Sequence, residues 1–131
     1  NKVMSSIYNY WPDLSYIPEN IDPSKMKYRR HISIDIHQEN DSWNKFLEQT
    51  KKGVANDKKL KNNYIRLAYS PMYGGTESSE FLFIAMDESR AKYFENLDKR
   101  TLKRDNDRDW KKMQNSNLAS FVKEENIMLR N

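Results

Sequence analysis

One stretch constrains this chain more than any other: His31-Ile32-Ser33-Ile34-Asp35-Ile36-His37. Isoleucine alternates with a polar residue at every step. A sustained period of two is a β-strand, with one apolar face for a core and one polar face turned away from it. Both histidines of the chain lie on the polar face, with Asp35 between them. No other segment gathers residue types that do chemistry so closely.

Spacing limits what that face can do. Residues on a strand advance roughly 3.3 Å each, so the α-carbons of His31 and His37 stand roughly 20 Å apart. Two ligands of one zinc ion must each come within about 2.1 Å of it. A straight strand forbids this, and no metal site is expected. An acid/base pair on one reacting group, with reach of about 3.2 Å, fails on the same ground. Only neighbours two apart can meet. The best catalytic constellation is therefore Asp35 with His37, the carboxylate orienting the imidazole and raising its pKa. Against it stands the plainer reading, a solvated polar face of a half-exposed sheet, which is favoured. His31-x-Ser33 is half of the two-histidine phosphoesterase pattern. With no third histidine the second half is missing, and that family is set aside.

Composition bounds the rest. At 131 residues the chain is long enough for one domain with a real core. It is 37% hydrophobic and 32% charged, yet it holds eight Tyr, five Phe and three Trp. A disordered chain would be poor in aromatics, so a soluble, folded, thinly cored domain is expected. Cysteine is absent, which excludes disulfides, thiolate nucleophiles and Cys-based zinc sites. No apolar run approaches the ~18 residues of a membrane span. The first residue is Asn1. If a leader preceded it, the protein is periplasmic or otherwise exported; if not, it is cytoplasmic. The net charge of +4 is mild, so a nucleic-acid footprint would have to come from clustering.

Residues 1–28 read as an N-terminal arm without regular structure, punctuated by Pro12, Pro18 and Pro23. Tyr8, Tyr10, Trp11, Tyr16 and Tyr28 decorate it. Such aromatics either pack on the domain or serve recognition; packing is favoured for most, because many exposed rings invite aggregation. Residues 29–131 read as a single α+β domain. Its small antiparallel sheet is expected from strands near 31–37, 64–70 and 79–86. Phe81-Leu82-Phe83-Ile84-Ala85-Met86 is apolar on both faces, the signature of a central strand, with Phe83 and Ile84 among the most buried residues. Pro71-Met72-Tyr73-Gly74-Gly75-Thr76 supplies turn chemistry between the last two strands. The glycine pair lacks the Lys-Ser/Thr of a phosphate loop, and no cofactor is expected.

Two helices are expected on the sheet. Trp43, Phe46, Leu47, Thr50 and Val54 recur at amphipathic spacing, giving a helix over 42–53 that stops at Gly53. Ala91, Phe94 and Leu97 give a second over 88–103. The dense charges of 99–112 suggest a further solvated helix anchored by Trp110 and Met113. Leu118, Phe121 and Val122 suggest a last short element. Residues 55–63 read as a polar loop. With Lys51 and Lys52, its Lys58, Lys59 and Lys61 form the densest basic cluster, though without interleaved aromatics.

Three function classes follow. The first is a non-enzymatic protein-binding domain of inhibitor, immunity or envelope-accessory type. It would act by stoichiometric binding of another protein through its loops and arm, with Trp11, Tyr16, Tyr73, Gly74 and Gly75 as the binding residues. The second is a nucleic-acid binder using the Lys51–Lys61 cluster. The third is a small hydrolase or nuclease centred on Asp35 and His37, assisted by Glu80 or Arg66. The first is preferred, because no catalytic motif is complete.

Overall fold

The computed structural model describes residues 7–36, 41–73, 76–77, 80–114 and 122–130. Six strands form one antiparallel sheet: β1 (Ile7–Tyr10), β2 (Tyr28–Ile36), β3 (Ile65–Tyr73), β4 (Thr76–Glu77), β5 (Glu80–Asp87) and β6 (Val122–Arg130). Their order is β1-β3-β5-β2-β6, with β4 paired to the end of β3. Three helices join them: α1 (Ser42–Leu60), α2 (Arg90–Asp105) and α3 (Arg108–Gln114). The chain is thus α+β, with the expected antiparallel sheet and packed helices. Leu118 and Phe121 lie outside the described residues, and β6 begins at Val122.

The strand with two apolar faces takes the centre of the sheet. β5 pairs with β2 through Ile32↔Phe83 and Ile34↔Phe81, and with β3 through Ala68↔Phe83. Phe81, Phe83, Ile34 and Ile36 make the main core with Phe46 of α1 and Leu14 of the arm. The rings of Phe46 and Trp43 sit 5.3 and 5.5 Å from Phe81, inside the favourable range for aromatic pairs. α2 covers the other half of this face, where Tyr93 packs with Tyr28, Tyr64 and Ala85.

The opposite face of the sheet is only half covered. Ile65, Leu67 and Met86 are buried beneath Ile21 and Met26. Ile84, expected among the most buried residues, is only partly buried. It packs with Ile65, Leu67 and Met86 alongside Ile21, Met26 and Tyr69, whereas α1 and α2 pack on the other face and α3 packs against α2.

α1 differs most from expectation. It runs straight through Gly53 and ends seven residues later. Gly53 is an ordinary helical residue with its carbonyl accepting from Arg104 Nη2 at 3.0 Å. The stop is Lys61, left-handed at φ 52°, whose N–H reaches back to the Asp57 and Lys58 carbonyls. Residues 55–60 are therefore helix rather than loop. The last turns escape a search for apolar periodicity because their inward residues, Asn56 and Asp57, are polar. In α2 the expected stripe holds in part: Phe94 and Leu97 pack, partly buried, on the Tyr93 cluster, whereas Ala91 is exposed and the fully buried residues are Tyr93 and the polar Asn96 and Arg104.

The arm is bound into the sheet. β1 pairs with β3, Leu14 is wholly buried, and Tyr16 rejoins β3 opposite Arg66.

Candidate functional site

The open half of the sheet is the candidate site, and its residues follow from strand geometry. Tyr8 and Tyr10 are two apart on β1, so both side chains point to one face. Pairing sets Tyr10 opposite Tyr69 and Tyr8 opposite Pro71. The Tyr69 ring lies 5.3 Å from Tyr10 and 6.4 Å, edge-on, from Tyr8. Tyr8 and Tyr10 remain 49% and 46% exposed, among the few large apolar side chains left so open. Beside them is a groove of ≈ 440 Å³ that Leu82, Ile84, His31 and Ser33 line from β5 and β2, with Glu80 also lining it. Three tyrosines and two aliphatic side chains thus share this face with a polar border.

The structure separates the residues singled out from sequence. Trp11 faces inward: its ring lies 5.7 Å from Phe81, and its Nε1 donates to Ser70 Oγ at 2.8 Å. Tyr16 is buried, its hydroxyl donating to the Asn62 carbonyl at 2.8 Å. Both serve packing here, and the exposed rings of the arm are Tyr8 and Tyr10. Tyr73 ends β3, paired to Thr76. Gly74 and Gly75 lie outside the described residues. So does His37, which leaves Asp35 as the described half of that pair. In the register Asp35 stands opposite Glu80 on β5 and Glu124 on β6. Arg66 cannot assist Asp35, because it lies on the helix-covered face, stacked 4.2 Å above the Phe83 ring. Among the described residues, no group of three or more His, Cys, Asp or Glu is placed to hold a metal ion.

The signal for the tyrosine face was present in the sequence. Tyr8-Asn9-Tyr10 has the two-residue period of a strand, but three residues among prolines read more readily as an arm. Tyr69 sat on the apolar side of its strand, and no local rule says that this side is left uncovered beyond Leu67.

The covered face carries the strong electrostatics. Asp57 of α1 accepts from Arg100 Nε at 2.8 Å, from Arg100 Nη2 at 3.1 Å and from Asn62 Nδ2 at 2.7 Å. Arg104 Nη2 stands 3.2 Å from the same carboxylate. Burial works to raise the Asp57 pKa, but the two arginines and Asn62 outweigh it and hold the carboxyl below its ordinary range. Burial, then the charge of Arg100, pulls Arg104 below its ordinary value, with Asp57 opposing both. This ion pair welds α1 to α2. Its depth beneath two helices marks it as architecture, not as a site open to substrate.

The lysine cluster lies on the far side of α1. Lys59 bridges to Asp107, just before α3, at 2.9 Å and to Asp109 of α3 at 3.3 Å. α3 also supplies the aromatic that the cluster lacked. Trp110 and Met113 line a shallow groove of ≈ 520 Å³ with Lys52, Lys59 and Lys112. One side of the Trp110 ring is taken by Arg104, whose guanidinium carbon is 3.6 Å from the ring centre.

In comparison, no protein family, curated protein or solved structure matched the chain. Among the described residues no helix is long and apolar enough to cross a membrane.

Proposed function

We propose that this is a non-enzymatic domain that binds another protein stoichiometrically, as inhibitors, immunity proteins and accessory factors do, through the open half of its sheet. The observation that carries this reading is the Tyr8–Tyr69–Tyr10 cluster beside the Leu82–Ile84 groove. Two of these rings are about half exposed on a rigid sheet rather than on a loop. Tyrosine suits such a role because it offers a large contact area with few rotatable bonds and a hydroxyl that tolerates water.

The test is a titration of the purified partner against single variants. Tyr8→Ala and Tyr10→Ala each weaken binding about tenfold or more, the loss of a hot-spot residue. Asp35→Asn leaves binding and any cellular activity in place. If the protein instead turned over a substrate, and Asp35→Asn abolished turnover without unfolding it, the hydrolase reading would replace this one.

A further inference from the structure

A separate cavity opens at the end of the sheet, where β3 begins and β5 ends. It holds ≈ 260 Å³ and shares no lining residue with the tyrosine groove, so its occupancy is independent of the tyrosine face. Ile21 and Met26 of the arm, with Ile65 and Met86 of the sheet, give it an apolar side. One stripe of α2 gives it a polar side: Lys92, Glu95, Asn96 and Lys99 recur at helical spacing, and Asp87 at the end of β5 joins them. Concave, mixed lining of this kind is that of a small-molecule site. The volume is just under the ~300–1,000 Å³ of sites for drug-sized ligands, which sets the guest at a small metabolite.

The polar side is not balanced. Asp87 and Asn96 are only 9% and 8% exposed. Asp87 Oδ1 accepts from the Glu88 backbone N–H at 2.7 Å, and its Oδ2 accepts from Asn96 Nδ2 at 2.8 Å. Both donors are neutral, and Asp87 forms no ion pair with a described residue. Tyr28 stands opposite it in the register, but the Tyr28 hydroxyl has no hydrogen-bond partner and so gives Asp87 nothing. The N-terminal end of α2, just beyond, favours an anion without neutralising it. A carboxylate has about four lone-pair sites, so two remain unfilled. Because a carboxylate only accepts, the Asn96 amide turns its nitrogen to Asp87 and presents its oxygen elsewhere. That Oδ1 accepts no hydrogen bond from a described residue and is not sealed from solvent. Of the other charges lining the cavity, Glu95 and Lys99 hold each other at 3.1 Å. Glu88 and Lys92 are exposed and form no ion pair with a described residue.

We infer that this cavity binds a free α-amino acid with an aliphatic side chain. Its ammonium donates to Asp87 and to Asn96 Oδ1, supplying the cation that the buried carboxylate lacks. Its side chain lies on Ile21, Met26, Ile65 and Met86, and its carboxylate turns outward to Lys92. A bare metal ion is a poorer occupant. Among the described residues the acidic side chains form no metal-binding group, and an ion would leave the apolar side uncovered.

The experiment is an NMR titration of the intact, nitrogen-labelled chain with leucine, isoamylamine and isocaproate at constant ionic strength. The amine lacks the carboxylate of leucine, and the acid lacks its ammonium. Leucine is expected to bind saturably at one site per chain and to shift the Glu88 backbone and Asn96 side-chain amides. Isoamylamine should bind severalfold more weakly, and isocaproate not at all. Asp87→Asn keeps the shape and should weaken leucine binding about tenfold or more, the loss of a charge-assisted hydrogen bond. Lys92→Gln changes an exposed residue and keeps the fold. It should weaken leucine binding severalfold and leave isoamylamine unchanged, and it decides the matter if Asp87→Asn fails to fold. Four outcomes overturn the inference: no saturable shift at Glu88 and Asn96; isocaproate binding as tightly as leucine; isoamylamine doing so; or leucine binding that Asp87→Asn and Lys92→Gln both leave untouched.

Discussion

The two faces of this sheet are made of similar residues and have opposite fates. Under the helices, Phe81, Phe83, Ile34 and Ile36 are closed off by Phe46, Trp43 and Leu14, Tyr93 closes the neighbouring cluster of Tyr28, Tyr64 and Ala85, and a buried ion pair locks the covering helices together. On the other side Leu82, Ile84, Tyr69, Tyr8 and Tyr10 meet partial cover or none. Aromatic content therefore does not say which face recognises and which packs. What decides is whether another element of the chain reaches the face. Ile21 and Met26 pack with Ile65, Leu67 and Met86, and at the edge of that cluster Tyr69 and Ile84 stay only partly buried.

The largest effects should fall on the covered face. Phe83→Ala is expected to cost about 3–5 kcal/mol in chemical denaturation, because a central ring leaves a cavity that the sheet cannot close. Asp57→Ala should cost a comparable ~3–5 kcal/mol, since it strands two buried arginines. A loss below about 1 kcal/mol for either would break the contrast between the faces.

Acid titration sharpens the same point. The folded Asp57 carboxyl lies below its ordinary value of 3.8. A depressed carboxyl stabilises fully above the unfolded value and loses that contribution as pH falls through the folded one. Wild-type stability should thus drop steeply below about pH 4, and Asp57→Asn, already weaker at neutral pH, should drop less steeply there. Parallel curves would mean that other carboxylates control acid unfolding.

A smaller effect, of opposite sign, tests the length of α1. A Cβ on Gly53 would meet Arg104 Nη2 at 3.9 Å and Trp110 at 4.0 Å, ordinary contact distances. Gly53→Ala should therefore stabilise the protein by about 0.5–1 kcal/mol, the helix-propensity gain. If Gly53 ended the helix in a left-handed conformation, alanine would destabilise it. Changing Lys58, Lys59 and Lys61 together to Ser should move stability by only about 0.5 kcal/mol. Tight nucleic-acid binding lost with those three changes would favour the second function class, with Trp110 as its stacking residue.

These contrasts explain what could be read in the sequence. The β2 alternation and the β5 run were legible because apolar side chains alone pack them. The second half of α1 was not, since Asn56 and Asp57 point inward and find their partners more than forty residues away on α2. Gly53 misled for a related reason: its significance is local only when it takes a left-handed φ. In the arm, Trp11 and Tyr10 are adjacent and chemically alike, yet one stacks on Phe81 and the other faces outward. Strand parity separates them, and parity becomes visible only once β1 is known to pair with β3.

The central claim is that the tyrosine face, and not the helical side, meets the partner. Photo-crosslinking from single positions on the purified domain tests it, using a photoreactive residue at Tyr10 or at Leu102. Leu102 is an apolar side chain of α2 that is 63% exposed, so exposure alone cannot favour Tyr10. The account predicts a one-to-one adduct from position 10 that Tyr8→Ala suppresses, and none from position 102. Adducts from position 102 alone, or equally from both, would contradict it.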